Sequence, residues 1–396
     1  MGRVMNVVVI DPWHFTPPYD SELCRGLVDA GHQVLFVRSG DHSGKDESVN
    51  EEVEGVRTLT PFSLPNSQLP RSLQLVAKGF QHIRGMFSLY GTLRRLKPDV
   101  IHFQWLSLPL FDALFLPFFK RIAPVVLTVH DSNPYNGAGP WLLRAGNAVA
   151  MDRCDQFIVH NKVSVERLEQ RGVPSDRIHH IAHGLLEKPA ADDLKKPERS
   201  DPRIHLLQFG KIKEYKGTDV LLNALSLLNA EERTKCSVSI VGRPYIDTQP
   251  LLDLVATHNL QDVVNLRFDF VDDAEMIDLF DRTDFLVFPY RDIDTSGVLM
   301  VAVARGIPVI ASDIGCFSEA LTDGDEGRLV PAGDPEQLAH VIKELIASPE
   351  HQLQMAGEMK ALRRRIPSWE AIAEMTTVVY EQAQPESPSQ PLGVHT

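Results

Sequence analysis

Three lysines stand between two glycines in FGKIKEYKG, residues 209–217, directly after the apolar run IHLLQ. Glycine lets a backbone bend close to a ligand, and Thr218 or Asp219 can cap the helix that should follow. Gly210, Lys211, Lys213, Lys216 and Gly217 would then gather ammonium groups and helix amides at one point. That is an anion site suited to a diphosphate. The pattern GxxxxGK[ST] is absent, so a triphosphate loop is not indicated. The plain alternative is a solvated turn. Two further chemical positions follow apolar runs: His130-Asp131 after VVLTV, and RDIDTSGVLM (291–300) after DFLVFPY. Asp292-Ile293-Asp294 has a cation-binding spacing. Acidic chains produce it by chance, however, and the lysine loop already offers a diphosphate its countercharge, so no metal is expected. His14, His102, His160 and His183 sit near strand ends, where a satisfied core histidine reads as well as a ligand contact.

The elements that must position these residues alternate in type. Apolar runs at 6–11, 33–37, 99–103, 124–130, 156–160 and 177–184 are near-continuous, as parallel strands covered on both faces are. Helical patterns fall between them, such as DSELCRGLVDAGH closing on Gly31. The second half repeats the scheme at 204–209, 236–242, 262–268, 284–290, 307–312 and 327–331, with a helix expected over 218–230. This alternation implies an α/β chain of two Rossmann-like, doubly wound domains. The expected boundaries are 1–185 and 203–366, with a polar linker over 186–202. A last helix at 367–384 carries Trp369 on an apolar face and should cross back to the first domain. A flexible tail is expected over 385–396. Ligands of such folds bind beyond the carboxyl ends of the strands, where all three chemical positions lie.

The 396 residues carry a net charge of −13, nearly all of it in the second half. An acidic chain with one basic loop argues against nucleic acid and for a small anionic ligand. Cys24, Cys154, Cys236 and Cys316 lie far apart with no CxxC pair, which suggests a reducing, cytoplasmic setting. The start runs straight into a strand pattern, so no secretory signal is expected, and Asn6 leaves a myristoylation pattern incomplete. Residues 71–121 admit two readings. One is helices buried against the first domain. The other is peripheral contact with the inner face of a membrane, because Leu, Phe and Met recur at helical spacing beside Arg71, Lys78, Arg84, Arg94, Arg95 and Lys97. Pro109, Asp112 and Pro117 interrupt the apolar stretch, so it should not span a bilayer.

The ordered series VHD (129–131), IAHG (181–184), FGKIKEYKG, SIVGRP (239–244), DFVDDAEMIDLFDRTDFLVFPYRD (269–292), SGVLMVAVARGIPVIASDIG (296–315), EALTDGDEGRLVPAGD (319–334) and SWEAIAEMTTVVYE (368–381) resembles family four of the retaining nucleotide-sugar glycosyltransferases. The resemblance covers nearly the whole chain and implies the GT-B fold, two such domains facing a cleft. It implies that Lys211 or Lys213 takes the family's arginine position and Lys216 its lysine, both facing the donor's phosphates. Lysine in place of arginine keeps the charge and loses the bidentate fork. It further implies that Gly242 and the backbone near Phe270 and Val271 serve the nucleotide, that His130 touches the donor sugar and that Gly184 lines the cleft.

Two departures stand out. The family's pair of glutamates falls on Ile293 and Val301, with Asp292 or Asp294 one residue from the first position. A subgroup with PYR followed by SG has the same look, in which amides around Thr295, Ser296, Gly297 and Val298 would contact ribose or phosphate. The usual glycine pair after the first strand is also missing. Tyr19 and Asp20 open the following helix instead, so this loop reads as acceptor-facing. Glu319 reads equally as a cap or a donor contact.

The implied reaction transfers a sugar from a nucleotide-diphosphate donor, with retention, to a saccharide or lipid-linked acceptor in cell-surface glycan assembly. His130, Lys213, Lys216 and Asp294 would be catalytic and no metal cofactor would be needed. The lysines and helix amides would stabilise the departing diphosphate, and a phosphate oxygen would take the acceptor's proton. The rival readings are a catalytically idle nucleotide-sugar-binding protein of the same fold and an epimerase on the same architecture.

Overall fold

Parallel strands buried on both faces dictate helices on either side, and the chain builds that arrangement twice. The computed structural model describes residues 3–40, 53–63, 71–133, 141–187, 201–348 and 350–385. The first unit runs β1 (Asn6–Asp11), α1 (Pro17–Asp29), β2 (Gln33–Ser39), β3 (Arg57–Phe62), α2 (Arg71–Leu96), β4 (Val100–Phe103), α3 (Pro109–Phe119), β5 (Val125–Thr128), α4 (Trp141–Met151), β6 (Gln156–Val159), α5 (Lys162–Gln170) and β7 (Ile178–His180). Its seven strands are ordered β3-β2-β1-β4-β5-β6-β7, all parallel.

The second unit runs β8 (Ile204–Phe209), α6 (Thr218–Ser226), α7 (Ala230–Thr234), β9 (Cys236–Val241), α8 (Gln249–Thr257), β10 (Val264–Arg267), α9 (Asp273–Asp281), β11 (Phe285–Phe288), α10 (Gly297–Arg305), β12 (Val309–Ser312), α11 (Gly315–Ala320), β13 (Gly327–Val330), α12 (Pro335–Ala347) and α13 (Glu350–Arg363), before α14 (Trp369–Ala383). Its six parallel strands are ordered β10-β9-β8-β11-β12-β13. Both sheets are doubly wound and switch direction between adjacent central strands, β1/β4 and β8/β11. Most of the expected linker (188–200) and tail (386–396) lies outside the described residues.

Three local features differ from the sequence expectation. β3 is an edge strand with alternating exposure and Pro61 inside it, so no apolar run announces it. The helix expected over 218–230 ends at Ser226. There Asn229 starts a new one with a capping box, its side chain accepting from Glu232 N at 2.9 Å while Glu232 accepts from Asn229 N at 2.7 Å. α3 is two-faced: Asp112, Ala113, Leu116 and Phe119 are buried, whereas Phe111, Leu114 and Phe118 are exposed.

The last helix, α14, lies across α1 of the first unit. A Cβ added at Gly26 would sit 2.6 Å from the Trp369 carbonyl, which is why α1 carries glycine at the crossing. Further along α14, Tyr380 Oη lies 2.7 Å from His102 Nδ1 beneath the first sheet's switch point.

Candidate active site between the two sheets

The carboxyl ends of β1, β4, β5, β8 and β11 converge on a cavity of about 710 Å³ between the two units. Its first-unit wall includes Tyr19, Trp105, His130 and Asp131, and its second-unit wall includes Lys211, Lys213, Asp292, Asp294, Thr295 and Gly297. Residues from both halves of the sequence therefore meet in one space.

The lysine loop owes its shape to close backbone crossings. Gly210 and Gly242 end adjacent strands with positive φ, and a Cβ on Gly242 would meet the Gly210 carbonyl oxygen at 2.0 Å. Gly217 sits in the left-handed region, where a Cβ would meet the Pro289 carbonyl at 1.8 Å. Gln208 Nε2 donates to the Lys216 carbonyl at 2.8 Å, fixing the loop from below. Arg291 fixes it from the side: its guanidinium grips Asp219 at 2.9 and 2.6 Å and donates to the Glu214 carbonyl at 3.0 Å. The arginine of PYR is thus a brace for the loop, a role that its sequence position did not disclose.

The three lysines divide the work. Lys211 and Lys213 line the cavity, with Lys213 Nζ 5.8 Å from the Tyr215 ring and 6.0 Å from the Tyr245 ring. Lys216 is buried outside that wall. Its Nζ stands 5.0 Å from the Tyr290 ring and 3.3 Å from a Cβ built on Gly210, placing the ammonium directly behind the loop glycine. Burial, reinforced by Lys213 and Lys211, pushes its pKa down to about 7. α10 adds its N-terminus beside the loop: Ser296 Oγ accepts from Leu299 N at 3.3 Å, Gly297 lines the cavity, and Val298 lies 3.7 Å from the same Gly210 Cβ. A helix N-terminus next to three ammonium groups is a preformed anion site.

On the opposite wall His130 is held by a chain of hydrogen bonds. The Gln104 amide oxygen can only accept, so His130 Nε2 carries the proton of their 3.0 Å bond. Gln104 Nε2 donates to His102 Nε2 at 3.3 Å, and Thr128 Oγ1 lies 2.7 Å from that same nitrogen. Nδ1 of His102 then donates to Tyr380 Oη. Burial, with His160, His183 and His102 nearby, pushes the His130 pKa well down. The ring is therefore neutral with a bare Nδ1, able to accept from a hydroxyl. Trp105 stacks on it at 5.2 Å and Tyr19 meets it edge-on at 4.8 Å.

Some expected site residues stand elsewhere. Asp20 is fully buried and shares a hydrogen bond with Asp11, and desolvation beside that carboxyl raises its pKa well up. An acid sealed under the 13–18 loop cannot meet an acceptor, so the acceptor-facing reading fails for Asp20; Tyr19, its neighbour, lines the cavity. Gly184 abuts Trp369, 2.7 Å from a built Cβ, and serves the α14 crossing rather than the cavity wall. Phe270 is exposed and Val271 buried, both beyond the cavity lining.

Asp294 lines the cavity, but both its oxygens are committed, one to Arg167 and the other to Ser132 N. Arg167 also reaches Asp292 at 3.1 Å, and Asn133 Nδ2 donates to Asp292 at 2.6 Å. At the head of α5, Asn161 Nδ2 donates to the Asp294 carbonyl at 2.8 Å and Lys162 N donates to Glu319 at 2.7 Å. The DID triplet and Glu319 therefore fasten the second unit to α5 of the first. Sequence reasoning missed Arg167, because no local pattern marks a surface arginine on an ordinary helix.

Comparison with known proteins shows the family and the fold. Residues 18–184 match the model described as glycosyl transferase 4-like domain, and residues 203–348 match glycosyl transferases group 1. The chain is 32% identical to D-inositol 3-phosphate glycosyltransferase 2 of Catenulispora acidiphila, over 92% of this chain and 89% of that protein. It is 27% identical to the glycogen synthase of Mycobacterium tuberculosis, over 96% and 95% of the two chains. Among solved structures, Anabaena HepE in complex with UDP and glucose superposes with a TM-score of 0.72 at 17% identity, covering 95% of this chain and 99% of that one. At that identity the likeness establishes the fold.

Proposed function

The chain belongs to the glycosyl transferases group 1 family, and from that premise we propose that it moves a sugar from a nucleoside-diphosphate donor to an acceptor hydroxyl with retention of configuration. The observation that carries this reading is the anion site in which Lys211, Lys213 and the α10 N-terminus, with Lys216 behind the loop, face a neutral His130 across one cavity. As the anomeric bond breaks, charge develops on the departing diphosphate, and fixed cations and amides stabilise it more in the transition state than in the ground state. His130 Nδ1 accepts a hydroxyl of the transferred sugar. The acceptor approaches from the Tyr19–Trp105 wall and passes its proton to a phosphate oxygen. Asp294, tied to Arg167, takes no covalent part, and a protein nucleophile is not needed. The diphosphate's countercharge comes from lysine, so the reaction runs without a metal.

A thermal-shift screen of UDP-, GDP- and ADP-sugars should give one stabilising donor, and NMR of the product should show the donor's anomeric configuration. EDTA should leave turnover unchanged. An inverted product would remove the retaining mechanism, and metal-dependent turnover would remove the lysine-only account of the leaving group.

The same reading extends to a site of action in the cytoplasm, at the inner membrane face, in cell-surface glycan assembly. It is supported by the exposed row Val76, Phe80, Phe87 on α2 and Phe111, Leu114, Phe118 on α3, flanked by Arg84, Arg94 and Arg121. No described helix is long and apolar enough to cross a membrane, so contact would be peripheral. Vesicles containing phosphatidylglycerol should co-sediment the protein, and Phe80→Glu with Phe118→Glu should abolish this. Equal sedimentation of the variant would remove the membrane surface.

A further inference from the structure

The cavity is divided in its chemistry. Both lysines on its described lining come from the second unit, whereas the first unit offers Phe15, Tyr19 and Trp105 with uncharged polar groups such as Gln104, Ser107 and Asn147 between them. Phe15 and Trp105 meet edge to face with centroids 5.4 Å apart, and Trp105 Nε1 is pinned to Thr16 Oγ1 at 3.1 Å. Leu106, Leu127 and Met151 line the same cavity. The group beside His130 is a carboxyl, Asp131, whose pKa is pushed up to about 6 by burial and by Asp294 and Asp292. Arg167 compensates Asp292 and Asp294, so the uncompensated carboxyl on this wall is Asp131, which offers a phosphate no countercharge.

On the transferase reading above, we infer that the acceptor is an uncharged glycoside with an apolar aglycone, not a phosphorylated polyol. Its sugar lies at His130 and its apolar portion rests on the Trp105 wall. The reacting hydroxyl thus meets the donor from the wall whose described lining holds no lysine or arginine. The relative named for D-inositol 3-phosphate would differ from this chain in acceptor charge.

The test is calorimetry on the full chain saturated with the nucleoside diphosphate it binds best, using hexyl β-glucoside, glucose and D-inositol 3-phosphate as probes. Hexyl glucoside should bind at least tenfold more tightly than either of the others. Trp105→Ala should weaken it about tenfold while leaving nucleotide affinity intact, which reports a folded donor side. Asp131→Asn should narrow the gap for inositol 3-phosphate, since it removes a repelling charge. Tighter binding of inositol 3-phosphate than of hexyl glucoside would overturn the inference, as would a Trp105→Ala variant with undiminished hexyl glucoside affinity. Nucleotide binding with either of those outcomes would leave the donor reading standing. Loss of all nucleotide binding by the native chain would sink both.

Discussion

Lys216→Ala is expected to lower transfer from the nucleotide sugar by about 10²–10³, the usual effect of deleting one preorganised group that stabilises developing charge. The fold should persist, because a lysine with a pKa near 7 gives the unliganded protein no favourable ion pair to lose. The same residue predicts a pH signature. Its folded pKa lies below the ordinary lysine value, so between about 7 and 10.5 the unfolded chain holds a proton that the folded chain lacks. Folding stability should therefore rise with pH across that window, and this slope should vanish in Lys216→Met. Donor binding should run the other way. A diphosphate diester stays ionised throughout, and it favours the charged ammonium. Binding above about pH 7 must then take up a proton, and affinity should fall about tenfold per pH unit. Calorimetry in buffers of different ionisation enthalpy measures that proton directly. Affinity independent of pH from 7 to 9 would show that Lys216 does not face the diphosphate.

Arg167→Met is expected to loosen the two units. It leaves the Asp294 carboxylate, whose side chain is 1% exposed, without its guanidinium. Removing one partner of a fully buried pair costs about 3–5 kcal/mol. Arg167 is 29% exposed, and solvent screening reduces the expected loss to about 1–3 kcal/mol. Urea denaturation should show that loss, small-angle scattering should show a larger radius of gyration, and donor KM should rise more than kcat falls. In Arg167→Met with Asp294→Asn, most of the stability should return, because an amide needs no countercharge. If the single variant matches the native protein in stability and radius, the seam is held by other contacts.

How far the sequence reached depends on the range of the interaction concerned. The central strands of both sheets were legible because a strand buried on both faces must be a continuous apolar run; edge strand β3 was not, since half its side chains face water. The lysine loop was legible because Gly210, Lys211, Lys213 and Gly217 act within nine residues of one another. Asp20 misled, because a carboxylate near a helix start looks solvent-facing until the fold shows Asp11 beside it. Gln104, which sets the proton on His130, and Arg291, which braces the lysine loop, carried no signal of their own.

The sequence by itself determined the two parallel-sheet units and the clustering of cations at a strand end, because apolar periodicity and a glycine's freedom are properties of neighbouring residues. Only the tertiary structure decided that Lys216 stands behind the loop while Lys211 and Lys213 line the cavity, and that Asp292 and Asp294 fasten the seam to Arg167. Those outcomes are set by burial and by charges more than a hundred residues apart in the chain, and neither exists until the two sheets face each other.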